Sequence, residues 1–172
     1  MASFTKAEGI VVLDNIIKVI QENKQYLSDI DGAIGDGDHG INMNKGFSMC
    51  REELDNNPGD LPHGLNILSR VLMMKIGGSM GPLYGKFFKG MSTSLAENET
   101  IDVQSFGEAL RASKEAIGSI SQARVGDKTL VDALYPAVDA YQAALDEGKD
   151  FIGALADMKQ AASAGRDSTK DL

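Results

Sequence analysis

The stretch Leu65-Asn-Ile-Leu68-Ser-Arg-Val71-Leu72-Met-Met-Lys-Ile-Gly77-Gly78 carries apolar side chains at 65, 68, 71 and 72 and then stops at paired glycines. Spacings of three and four residues place those side chains on one face of an α-helix. A glycine pair ends it, since each glycine costs a helix interior about 1 kcal/mol relative to alanine. The same period runs outward in both directions. Toward the N-terminus, Met43, Phe47, Cys50 and Leu54 mark a helix that ends before Asn56-Asn-Pro-Gly59. Before it, Ile10, Leu13, Ile17, Ile20 and Leu27 make another, followed by a turn-rich segment from Ser28 to Gly40.

Toward the C-terminus, Leu83, Phe87, Met91 and Leu95 predict a helix beginning near Met80. Asp102 is a plausible N-cap for the next, which carries Phe106, Leu110 and Ile117. Leu130, Leu134, Ala137, Tyr141 and Leu145 follow, opened by Gly126-Asp-Lys-Thr129, and Ile152, Leu155, Met158 and Ala162 give a seventh helix. No strand alternation competes with this period. The expectation is one all-α domain over residues 1–172, an antiparallel bundle with short connections. Residues 164–172 lack an apolar stripe and read as a polar tail.

Composition narrows the function. A formal charge of −8 argues against nucleic acid or an anionic membrane as the main partner. The single Cys50 excludes an internal disulfide, suits a reducing cytosol and is expected to be buried. The N-terminus lacks a signal peptide's basic segment, and no apolar run approaches the ~20 residues of a membrane span. A cytoplasmic, soluble protein is expected.

The chemistry concentrates in Asp31-Gly-Ala-Ile-Gly-Asp36-Gly-Asp38-His39-Gly40, three carboxylates and an imidazole among four glycines. Clustered carboxylates repel one another and call for a cation. Hard ions such as Mg²⁺ favour carboxylate oxygens and bind substrate phosphates as well. The competing reading is a surface turn in which an Asp caps the following helix. A helix-loop-helix calcium site fails by counting. From Asp36 the twelfth position is Phe47, and from Asp31 the third is Ala33. His39 is either a packed histidine or a phosphate donor, and the helix start near Gly40 to Asn42 also suits an anion.

Two further glycine-rich turns open helices. Gly77-Gly-Ser-Met-Gly-Pro-Leu-Tyr-Gly85-Lys86 is a phosphate cradle or a plain helix-helix turn; it lacks the glycine spacing, hydroxyl residue and preceding strand of a P-loop. In Gly126-Asp127-Lys128-Thr129, Asp127 or Thr129 serves as a simple helix cap unless the three turns converge at one end of the bundle. The methionines, Tyr84, Tyr135 and Tyr141 read as packing residues.

Taken in order, Ile34-Gly-Asp-Gly-Asp-His-Gly-Ile-Asn-Met-Asn44, Gly77-Gly…Gly81-Pro-Leu-Tyr-Gly85 and Gly126-Asp-Lys-Thr129 with Asp132 resemble the DhaL family, the ADP-binding subunits of dihydroxyacetone kinases. The resemblance covers nearly the whole chain. It implies an antiparallel barrel of eight helices with nucleotide at one end. It also implies ADP held as a coenzyme, rephosphorylated to ATP by a phosphocarrier subunit (DhaM). The phosphoryl group then passes to dihydroxyacetone on a substrate subunit (DhaK). By position, Asp31, Asp36 and Asp38 match the ligands of two Mg²⁺ ions. His39, Gly40, Ile41, Asn42, Ser79 and Met80 match phosphate contacts, and Ser121 and Leu130 fall where the family lines its adenine and ribose pocket. No protein nucleophile is expected.

Two departures stand out. The family's Gly-Gly-Ala-Ser-Gly is Gly77-Gly-Ser79-Met80-Gly81 here, which moves the hydroxyl by one position. The family's later Gly-Arg-Ala-Ser, Gly-Glu-Arg-Ser and Asp-Pro-Gly elements and last helix do not follow Leu172. Seven readable helices against eight therefore predict a missing last helix, an exposed groove and a homodimer. The alternatives are the nucleotide domain of a single-chain ATP-dependent dihydroxyacetone kinase, and a nucleotide-loaded regulatory partner of a transcription factor.

Overall fold

The computed structural model describes residues 2–170 and 172. Its elements run β1 (Ser3–Thr5), α1 (Ile10–Glu22), α2 (Lys24–Gly32), α3 (His39–Asn56), α4 (Leu61–Lys75), α5 (Met80–Leu95), β2 (Thr100–Asp102), α6 (Val103–Gly118), α7 (Val131–Asp146) and α8 (Phe151–Ser168). The all-α architecture expected from the apolar period is the one observed. Local chemistry sets several of the starts. Asp60 accepts from the His63 amide, and Pro62 sits in the first turn of α4, where its missing N–H costs nothing. Asp102 and Ser105 form a reciprocal capping box at α6.

Neighbours along the chain pack against one another, most extensively α4 on α5, α5 on α6 and α7 on α8. Their inward faces form one core. Leu13 and Ile17 of α1, Phe47 and Leu54 of α3, Leu68 and Leu72 of α4, Leu95 of α5 and Tyr141 of α7 are all buried. Burial of such side chains contributes roughly 1.5–3 kcal/mol each. The buried Tyr141 hydroxyl is satisfied by donating to the Val103 carbonyl at 3.0 Å. Cys50 is buried as expected, and its desolvation pushes the thiol pKa up to about 12.

Three sequence expectations are corrected. The first helix is divided at Asn23, whose side chain donates back to the Val19 carbonyl and whose φ of −100° leaves the helical range. The second piece, α2, extends into the segment read as turns. It buries no residue, and beyond Leu27, which reads as the end of the first helix, only Ile30 continues the period. The eight helices seen among the described residues therefore arise from this division, not from an added last helix. The tail is also corrected: residues 164–168 continue α8. They need no apolar stripe because Gly165 lets the helix backbone press onto the first turn of α7, where any Cβ would strike the Asp132 carbonyl oxygen. Finally, β1 and β2 pair antiparallel, Phe4 opposite Ile101, over only three residues each, too short for an alternation to show.

Alternation of the helices brings the starts of α3, α5 and α7 to the same end of the bundle. At the edge, α1 packs on α3 and α4. Val12, Ile16, Val19 and Ile20 line an open groove on its outer side. No helix among the described residues is long and apolar enough to cross a membrane.

Candidate functional site

The loop between α2 and α3 turns twice within six residues. The Gly35 amide donates to the Asp31 carbonyl at 2.6 Å, closing the end of α2. Gly37 takes φ +75°, a left-handed conformation that residues with a Cβ resist. The Asp38 amide donates to Asp36 Oδ1 at 3.2 Å and the His39 amide to Asp31 Oδ2 at 3.3 Å. These bonds fold the loop so that one carboxylate oxygen each from Asp31, Asp36 and Asp38 lies within 4.8 Å of the others. Among the described residues no other group of three His, Cys, Asp or Glu converges in this way.

The helix-cap reading fails for Asp38, while Asp31 satisfies the first amide of α3 from eight residues upstream. Asp38 occupies the N-cap position of α3 but makes no side-chain cap; its Oδ2 instead accepts from the Asn42 side chain at 2.7 Å. Asp31 is half-buried and Asp36 and Asp38 are exposed, and none of the three forms a salt bridge with a described lysine or arginine. Like charges at this separation raise each other's energy. The donor set, all hard oxygens with a solvent-facing side, fits a divalent ion such as Mg²⁺ that keeps waters and shares a phosphate.

Across a cleft of ≈ 720 Å³ the carboxylates face the other two glycine-rich turns. His39 and Asn42 contribute from α3, Gly77 to Met80 from the α4–α5 turn, and Lys128 to Leu130 from the α6–α7 loop. The three turns thus meet at one place. Gly78 adopts φ +69° and brings the start of α5 to the cleft edge. The amide groups there, like those at the start of α3, are suited to oxyanions.

Other candidate residues lie elsewhere. Gly40 is buried against α2, and a Cβ on it would run into the Lys24 carbonyl oxygen, so its role is to let α3 approach α2. The Ile41 side chain is exposed and does not line the cleft. Ser121 lines a neighbouring cavity of ≈ 350 Å³ with Met73, Pro82 and Ile120. That cavity shares Ser79 and Leu83 with the main cleft.

Among the residues that the sequence motifs include but to which no site role was given, two stand out. Tyr84, taken as a packing residue, lines the cleft with its ring edge-on to His39 at 6.3 Å, and burial pushes its phenol pKa up. Its place in the first turns of α5, beside glycines, was the available signal. Asp132 is the other. It is buried on α7, and its two carboxylate oxygens accept from the Gly126 amide at 2.6 Å and the Thr129 amide at 2.8 Å. Those donors hold its carboxyl below the usual carboxylate range, the Thr129 bond first. Of the expected caps, Thr129 Oγ1 accepts from the Val131 amide, whereas Asp127 turns back to the Arg124 amide.

Comparison with known proteins follows the same outline. The DAK2 domain model matches residues 33–172. The ADP-binding subunit DhaL of PEP-dependent dihydroxyacetone kinase 1 from Listeria innocua is 39% identical over 143 residues, covering 77% of this chain and 72% of its own. The corresponding ADP-binding subunit of a PTS-dependent dihydroxyacetone kinase from Lactococcus lactis is 46% identical over 114 residues, covering 66% and 57%. In fold, the chain is similar to the crystal structure of the C. freundii dihydroxyacetone kinase in complex with AMP-PNP and Mg²⁺. The TM-score is 0.70 at 23% identity, over 98% of this chain and 30% of that one.

Proposed function

The chain belongs to the DAK2 domain family, and we propose that it is the ADP-binding subunit of a PEP-dependent dihydroxyacetone kinase. It carries nucleotide at the shared end of α3, α5 and α7 and passes a phosphoryl group to dihydroxyacetone held by another subunit. One observation carries the reading: Asp31, Asp36 and Asp38 converge on a cleft whose other walls are helix starts. Acid groups alone would repel a diphosphate, and helix starts alone would bind any anion. Together they fit a metal-bridged phosphate.

Three carboxylates and a diphosphate carry about −6, which two Mg²⁺ reduce to about −2, so two ions are the count proposed. When bound, the metal supplies charge neutralisation on the phosphate oxygens. The protein does the rest. Asp31 is oriented by the His39 amide and Asp38 by Asn42, which fixes their oxygens before ligand arrives. The amides at the starts of α3 and α5 offer donors to phosphate, with Ser79 and Met80 at the turn. Leu83, Tyr84 and Leu130 form an apolar wall that limits water, and the cavity at Ser121 suits the base. Phosphoryl transfer depends on positioning and electrostatics, so no protein nucleophile is required.

The partners proposed are a substrate-binding subunit of the DhaK kind and a phosphocarrier of the DhaM kind, with the assembly in the cytoplasm. Native mass spectrometry of the purified protein tests the reading. Retained ADP with magnesium is expected, together with phosphoryl transfer to dihydroxyacetone when both partner subunits are supplied. A protein that takes up no adenine nucleotide in the presence of Mg²⁺ would refute it.

A further inference from the structure

Of the described residues lining the acidic cleft, Lys128 is the single lysine or arginine. It is also the one described non-glycine residue with a left-handed backbone, at φ 56°. A residue with a Cβ is disfavoured there, so the surroundings must enforce it. The enforcement is visible. The Asp132 carboxylate accepts from Gly126 on one side of Lys128 and from Thr129 on the other. Asp132 has no cationic partner among the described residues and is 1% exposed, so its charge is committed to this loop. Behind it, Gly165 of α8 lies against its carbonyl and blocks retreat.

The side chain, by contrast, is exposed, and its ammonium donates to the backbone oxygen of Leu172 at 2.6 Å. That bond is made at an exposed ammonium, where single contacts to oxygen are weak and exchange with other oxygens. The position is selective as well. Lys128 lines the cleft that holds the carboxylates but not the cavity at Ser121. It therefore faces the phosphate end of a nucleotide and not its base.

We propose that Lys128 binds the terminal phosphoryl group of the nucleotide in this cleft, and that Asp132 is the positioning residue that aims it. The inference rests on the function proposed above and adds a lysine to a site otherwise built from carboxylates, amides and the His39 side chain. Lys128 makes and breaks no covalent bond; its N–H groups meet charge on the non-bridging oxygens, where phosphoryl transfer concentrates it.

Titration calorimetry of the full chain with Mg²⁺ and AMP-PNP, ADP or AMP tests this on the parent, Lys128→Met, Lys128→Gly and Asp132→Asn. Lys128→Gly matters because glycine accepts the left-handed backbone, so loss of binding cannot be blamed on a misfolded loop. Both Lys128 variants are expected to weaken AMP-PNP by about tenfold or more, ADP by less and AMP not at all. Asp132→Asn should give the same ranking at a smaller size, with its lysine still present. Equal AMP-PNP affinity in parent and Lys128→Gly would overturn this inference while leaving the nucleotide site intact. Equal losses for AMP-PNP and AMP would overturn it too, since a general loosening of the loop would then be the cause. A parent that binds none of the three would overturn the site and the inference together.

Discussion

The α2–α3 loop and the α6–α7 loop border the same cleft and are held by opposite means. In the first, three carboxylates crowd within 4.8 Å, and amides and one asparagine side chain are their described partners. In the second, a single buried carboxylate, Asp132, is fully engaged by two amides. The first loop stores repulsion that a cation would relieve. The second has its charge already satisfied by two amides. A binding site of this kind divides the work: one wall supplies unmet charge and the other supplies fixed geometry.

The largest effect expected from breaking the contrast lies in the acidic loop. Asp36→Asn and Asp38→Asn should each lower phosphoryl transfer by about a hundredfold or more, in line with removal of a transition-state electrostatic group. Because the substitution removes repulsion, the ligand-free protein should melt at the same or a higher temperature. Thermal melts with and without Mg²⁺-ADP check both halves, and an unchanged nucleotide-induced shift would sink the assignment.

Next in size is the dependence of nucleotide on metal. In excess EDTA the affinity for ADP should fall by about tenfold or more, since diphosphate would then face bare carboxylates. Calorimetry reads this directly. If affinity is undiminished, the acidic wall does not work through a metal.

The braced loop predicts effects on stability. Gly165→Ala pushes a methyl group into the Asp132 carbonyl, and overpacking of this kind typically destabilises by about 1–3 kcal/mol. Chemical denaturation should show it. Faster hydrogen exchange at Gly126 and Thr129 would tie the loss to the loop rather than to α8 alone.

The smallest effect is one of pH. Asp132 has its folded pKa depressed by the Thr129 and Gly126 amides. Its contribution is therefore fully present above the ordinary carboxylate pKa of about 4 and is lost as pH falls through that value toward the depressed one. Unfolding midpoints measured from pH 6 to pH 3 should fall less steeply in Asp132→Asn than in the parent. Parallel curves would show that the carboxylate does not stabilise the loop.

Much of this was legible in the chain. The periods through Leu65–Leu72, Met43–Leu54 and Leu83–Leu95 correspond to α4, α3 and α5, and Asp102 caps α6 as its position implied. The three aspartates could be seen because they fall within eight residues of one loop, where sequence nearness guarantees spatial nearness. What stayed hidden lacked a local signature. The helix α2 buries nothing, the end of α8 packs through a glycine, and β1 pairs with a strand almost a hundred residues away. Tyr84 and Asp132 stand in the quoted motifs, but no local signal showed that one lines the cleft and the other braces the α6–α7 loop.

The amino-acid sequence by itself determined the helical class, the position of nearly every helix and the acidic loop, because helix period and loop composition act over four to ten residues. Only the tertiary structure decided that three glycine-rich turns share one cleft and that Lys128 is, among the described residues, the lone lysine or arginine in its lining. It alone decided that Asp132, rather than Asp127, holds the α6–α7 loop. Those facts depend on which helix starts meet and on which carboxylate the packing of α7 and α8 removes from water, and no short stretch of chain contains either.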